Sequence, residues 1–239
     1  MTTRGDEYYD DEASIYSAKR YPRVVTNYIQ FLFTHRRDIL LATIKQVIRS
    51  TPTPRTLFEM GCADGVLLRA VEQRYPQAFT QMLGVDVSEP MVREAIALTQ
   101  DPTITYKVRS VVAETGSYTC ALEIGVAALV LDTKGELKIL ADQLVPGGYL
   151  ICSIAGRNSI AAVRGGTAAQ RALLKSYSHY EADMRTLFTI EETRSCGIDI
   201  PFLWRFPAVG RLLQPLFETL GSLSPGLAHE RIYLLKKKA

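Results

Sequence analysis

Glu59 closes a short apolar run, Leu57-Phe58, and the chain then breaks into a loop that carries Gly61, Cys62, Ala63 and Gly65. Val66-Leu67-Leu68-Arg69-Ala70-Val71 follows directly with helical spacing of its apolar residues. A strand, a small-residue turn and a helix in that order aim backbone N–H groups and a helix N-terminus at a ligand. Glycine permits positive φ and close backbone approach, and Ala63 adds little bulk. The pattern predicts a flat, extended guest such as a nucleoside.

Charge narrows the guest. A dinucleotide loop wants G-x-G-x-x-G with the pyrophosphate over the helix end. Here Val66 stands where the last glycine would fall, and Glu59 would oppose a pyrophosphate. A carboxylate suits a cation instead, and S-adenosylmethionine (SAM) carries both an amine and a sulfonium. About twenty residues on, Met82-Leu83-Gly84-Val85-Asp86-Val87-Ser88 reads as a second buried strand ending on Asp86. In a doubly wound sheet that position lies beside the ribose bound at the first loop, and its carboxylate accepts from both hydroxyls. Ser88 and Pro90 then open a helix as N-cap and first-turn residue, with Met91 behind them. Dehydrogenases carry an acid at the same place, so Asp86 indicates adenosine more than it separates the two cofactors.

At these residues the chain resembles the class I SAM-dependent methyltransferases. Glu59-Met60-Gly61-Cys62-Ala63-Asp64-Gly65 is similar to that family's first motif, with Ala63 in place of the usual middle glycine. Leu83 to Ser88 resembles its ribose-binding strand, and Tyr118 to Val126 its fourth strand and loop, with Thr119 where aspartate is common. Leu144-Val145-Pro146-Gly147-Gly148-Tyr149-Leu150-Ile151 resembles its turn into the fifth strand. Four motifs in order outweigh any one of them.

The resemblance implies an α/β fold with a doubly wound, mostly parallel seven-stranded sheet. Helical periodicity adds a cap segment at 1–50 before the SAM-binding domain at 51–239, and a link too long for a hairpin turn makes 203–229 a lid-like insertion. Glu59 and Gly61 would lie near the methionyl chain, Asp86 on the ribose and Val87 on the adenine. Ser110 or Val111 stands where the family places an acid for the adenine amino group, and Glu123 would lie at the mouth where donor and acceptor meet. Tyr16 and Arg20 are one helical turn apart, and Arg20 is a candidate for the methionyl carboxylate. The implied function is methyl transfer to a small molecule of secondary-metabolite, quinone or glycan type, at oxygen. Two alternatives stand beside it: a nicotinamide-dependent oxidoreductase and a non-catalytic SAM-binding module.

Methyl transfer from a sulfonium asks mainly for close, aligned and dry reactants. A base is required only for an acceptor protonated at the working pH. Of the three histidines, His179 is the candidate base, because it precedes the helix leading to the sixth strand. His35 is expected to face solvent and His229 to be structural. No carboxylate or histidine cluster suggests a metal.

The 239 residues suit one embellished domain, and 47% apolar with 22% charged residues is ordinary for a globular chain. A formal charge of +3 is too small and dispersed to imply nucleic acid. The four cysteines form no metal-type pair, and free buried thiols fit a cytoplasmic protein. Periodic apolar residues from Val25 to Ile48 predict cap helices ended by Thr51-Pro52-Thr53-Pro54. Glu181–Ser195 reads as a helix, Gly197–Phe202 as the sixth strand and Glu230–Lys236 as the last. The insertion between those strands mixes Leu212, Leu213, Leu216, Phe217 and Leu220 with Trp204, Arg205, Phe206 and Arg211. Packing on the parent domain or in a homodimer is favoured for it over a membrane surface.

Overall fold

The computed structural model of the chain describes residues 10–109, 118–126, 132–157, 159, 174–221 and 223–238. Strands β1 (Thr56–Met60), β2 (Gln81–Asp86), β3 (Ile104–Val108), β4 (Tyr118–Glu123), β5 (Leu144–Ala155), β6 (Phe188–Cys196) and β7 (Glu230–Lys237) form one sheet. Its order is β3-β2-β1-β4-β5-β7-β6. The β3-β2-β1-β4-β5 block is parallel, and β7 is inserted antiparallel between β5 and β6. This is the doubly wound, mostly parallel seven-stranded arrangement expected. Strand order reverses between β1 and β4, so the crevice for a ligand lies beyond the carboxyl ends of those two strands.

Helices cover both faces. The first face carries α2 (Tyr28–Ser50), α3 (Val66–Arg74) and α4 (Glu89–Leu98), whose Leu40, Leu68 and Ala95 pack with Leu57, Met82 and Leu122. The second carries α5 (Thr133–Gln143) and α6 (Tyr177–Leu187), whose Leu140 and Met184 pack with Phe58, Leu83 and Leu150. Strand residues thus alternate between the two cores, as a period of two requires. Side chains start the helices where the sequence supplies them: Asn27 accepts from Gln30 N at 3.0 Å, and Ser88 Oγ from Met91 N at 3.3 Å.

One expected element is displaced. Glu181–Ser195 does not continue as a helix: α6 ends at Leu187, and Phe188–Cys196 is the sixth strand. Thr189, Ile190 and Thr193 favour a strand, and pairing along β7 outweighs the helical look of Glu191, Glu192 and Arg194. Gly197, at φ +76°, stops the strand where one was expected to begin.

Helix α2 is tied to the sheet by charge as well as by apolar packing. Arg36 Nη1 lies 3.1 Å from Glu230 Oε1, and both side chains are buried. The Arg36 guanidinium also stacks 4.2 Å from the Phe33 ring centroid. Truncating one member strands the other charge in the interior. Glu230→Ala should therefore cost about 3–5 kcal/mol in urea denaturation at neutral pH. A loss below about 1 kcal/mol would show that this pair does not hold α2 in place.

Candidate active site

The loop after β1 is held by β2. Gly61 N and Cys62 N donate to Val85 O at 2.8 and 3.0 Å, and Ala63 N donates to Asp86 Oδ2 at 2.8 Å. The other Asp86 oxygen accepts from Ser88 N at 3.0 Å. Asp86 therefore fixes the small-residue loop and the turn into α4 at once. Gly61 and Gly65 both have positive φ, and Ala63 adopts φ +47° in the middle. A Cβ at Gly61 would come within 2.3 Å of Val126, and one at Gly65 within 2.3 Å of the Tyr106 hydroxyl. The tightness of this turn excludes larger residues at both positions.

Glu59 and Asp86 share one face of the sheet. Glu59 is in register with Gly84, and Asp86 stands two residues further along the same strand. The Glu59 side chain is buried, and its Oε2 has no hydrogen-bond partner among the described residues. Burial, then the charges of Asp86 and Asp64, push the Glu59 carboxyl well above the ordinary range. Burial also raises Asp86, against the pull of the Ser88, Ala63 and Val87 N–H groups. Cys62 lies buried beside them, its thiol raised by burial and by Glu59, so it is no nucleophile.

The N-terminal segment is fastened over this loop. Ser17 N donates to Asp64 Oδ2 at 3.1 Å, the Ser17 hydroxyl donates to the same oxygen, and the Ser88 hydroxyl donates to Asp10. Asp64, Tyr106, Val126 and Asp10 are thus part of the assembly, although none of them stands out as a site residue in the sequence. An acid between Ala63 and Gly65 was the available signal for Asp64. The others come from distant elements that only the fold brings in.

The remaining candidates fall in several places. Val87 is exposed beside Asp86, while Met91 is buried, its N–H taken by Ser88. Arg20 closes α1 (Tyr16–Arg20), stacks 4.2 Å over the Tyr16 ring and lies 2.7 Å from Glu12. Ser110 and Val111 lie outside the described residues. Glu123 is the register partner of Met60, so it faces the second core, away from Glu59. There it is buried, pushed far up by burial and by Glu136, whose own carboxyl is pushed up to about 7.

His179 is in the first turn of α6, on the second face, with Nε2 3.5 Å from Asp183. Because α6 leads from the carboxyl end of β5 toward β6, that turn is at the same edge of the sheet as the crevice. His229 is structural, with Nδ1 3.1 Å from the Tyr28 hydroxyl, and burial lowers its pKa. His35 is half-buried against Phe31 rather than turned to solvent, because the two rings stack at 5.3 Å. A cavity of about 320 Å³ lined by Gln46, Ser50, Tyr149 and Glu192 opens at the amino end of β5, away from these groups.

The raised Glu59 carboxyl has a consequence for stability. The folded state keeps this proton to higher pH than the unfolded chain does. The contribution is therefore full below the unfolded value of about 4.3 and is lost as pH rises through the raised one. Without ligand, Glu59→Gln should be more stable than the parent at pH 8 and equal to it near pH 4, read from urea midpoints. An identical pH dependence in the two proteins would mean that Glu59 is not strained by burial.

Residues 32–196 match a protein family described as "Methyltransferase domain". Comparison with curated proteins finds no match. Among solved structures, the chain is similar to the N-methyltransferase NodS from Bradyrhizobium japonicum WM9 in complex with S-adenosyl-L-homocysteine. That likeness has 12% identity and a TM-score of 0.65, and covers 99% of each chain. It is also similar to magnesium protoporphyrin IX methyltransferase (ChlM) from Synechocystis PCC 6803 with bound S-adenosyl-L-homocysteine, at 14% identity, TM-score 0.65 and 98% of each chain. At these identities the likeness is one of fold. A family match over most of the chain, on a sheet whose switch point gathers Glu59, Gly61, Ala63 and Asp86, removes the nicotinamide reading: the chain belongs to the methyltransferase-domain family and carries the class I, SAM-dependent methyltransferase fold.

Proposed function

We propose that this chain transfers a methyl group from SAM to a small-molecule acceptor, at an oxygen atom. One observation carries the donor: a buried carboxylate, Glu59, with an unpartnered oxygen and two further acids beside it, at the switch point of the sheet. Such a cluster is costly alone and relieved by a cation. The amine and sulfonium of SAM supply positive charge, and the electrophilic methyl is the chemistry the cofactor brings.

The chain's own residues then divide the work. Glu59 would accept from the amine. The Asp86 carboxylate accepts from the Ala63, Ser88 and Val87 N–H groups, and of its four lone-pair sites this leaves one for a ribose hydroxyl. Val87, exposed at the edge, would lie on the adenine. The turn at Gly61, Ala63 and Gly65 lets backbone approach the methionyl part. The segment held by Ser17 and Asp10 would keep water out.

A small acceptor fits the low charge of the chain and the capped crevice. Of the two solved relatives, ChlM is described as acting on magnesium protoporphyrin IX, and NodS as an N-methyltransferase. An alcohol or phenol acceptor must lose a proton. His179, oriented by the buried Asp183, is the candidate to take it.

Calorimetric titration tests the donor site: SAM should bind, NAD should not, and Asp86→Ala should weaken SAM by about 1–3 kcal/mol. No heat with SAM at high concentration would overturn the reading. For the acceptor, His179→Ala should lower kcat by about 10²–10⁴-fold at unchanged SAM affinity. An unaltered rate would remove His179 from catalysis, and mass spectrometry of the product would locate the methyl on oxygen or elsewhere.

A further inference from the structure

Helix α7 (Pro207–Gly221) is inside out. Two of its polar side chains point into the protein: Gln214 is fully buried, donating to Ile198 O at 2.8 Å and accepting from Trp204 Nε1 at 3.1 Å. Glu218 accepts from Gly197 N and Ile198 N, each at 2.9 Å. The outward face instead carries Val209, Leu212, Leu216 and Leu220, with Leu212 77% exposed. Spacings of three and four residues place these four along one stripe. Phe202 and Phe206, just ahead of the helix, are 80% and 65% exposed. The packing of this insertion on the parent domain favoured by the sequence applies to the half-buried Leu213 and Phe217 and to Trp204, whose ring lies 5.8 Å from Phe31 and packs on the first core. Leu212, Leu216 and Leu220 face outward.

Charge says what covers the stripe. The only acid in α7 is Glu218, and it is engaged inward. The rim is cationic: Arg205 and Arg211 are exposed, and Arg211 reaches Val25 O at 2.9 Å. A second copy seated on this face would offer the arginines no outward acid from its own helix. A surface of anionic lipid offers both an apolar layer and negative headgroups. The 15 residues of α7 span about 22 Å, less than the roughly 30 Å of a hydrocarbon core, so the helix would lie along the surface.

We propose that α7 docks this protein on an anionic membrane surface, with Leu212 and Leu216 in the apolar layer and Arg205 and Arg211 on the headgroups. The inference is independent of the acceptor and of catalysis. Sedimentation with phosphatidylcholine vesicles, with and without phosphatidylglycerol, tests it on the full chain. The protein should sediment with the anionic vesicles, and high salt should weaken this. L212E/L216E should abolish it while leaving the circular dichroism spectrum unchanged, since both side chains are exposed. R205Q/R211Q should lower partitioning by about fivefold per arginine. A parent protein that stays in the supernatant with anionic vesicles would overturn the proposal. So would binding that L212E/L216E leaves intact, or a parent dimer in light scattering that L212E/L216E splits.

Discussion

The turns that follow β1 and β2 are arranged around a carboxylate with nowhere to put its charge. Glu59 is carried into the interior by β1 and shares a face with Asp86, and Asp64 sits on the next turn. Three acids this close would repel one another in any protein. The fold tolerates them by giving Asp86 and Asp64 structural partners, the N–H groups of Ala63 and Ser88 and the Ser17 backbone. Glu59 alone keeps a free oxygen. Strain of this kind persists where a site is built for something that relieves it.

Local signals were legible in the sequence. Glu59, the spaced small residues behind it, Asp86 two residues ahead of its cap Ser88, and Pro90 in the first helical turn all lie within short windows. Their geometry follows from turn and cap chemistry. The displaced sixth strand shows the opposite case, because Glu191 to Arg194 carries no decisive local preference and only the ladder with β7 assigns it. Facing was equally hidden. Glu123 ends β4 as expected, but one step in register decides which core it meets.

Long-range partners were beyond reach for the same reason. Arg36 reads as one of several cations on a helix, and its pairing with Glu230, 194 positions away, exists only once β7 has folded back beside β5. Arg20, a candidate for the methionyl carboxylate, lies against Glu12 and the Tyr16 ring, and the Glu12 contact is one that no local pattern encodes. The apolar content of the insertion at 203–229 is plain in the sequence. Which of its residues face inward depends on Gln214 and Glu218 binding the backbone at 197–198, a preference no hydrophobic pattern encodes.

The antiparallel return of β7 has an architectural consequence. Because β6 runs in the same sense as β5 and β7 runs back, the link between them emerges at the rim where β1 and β2 end. That link shares no residue with the turns that hold Glu59 and Asp86. Donor chemistry and the outward character of the molecule therefore rest on separate stretches of chain, and drift in one leaves the other standing. A lineage built on this plan can exchange its surroundings by rewriting a single connector, while the machinery beneath stays as it was.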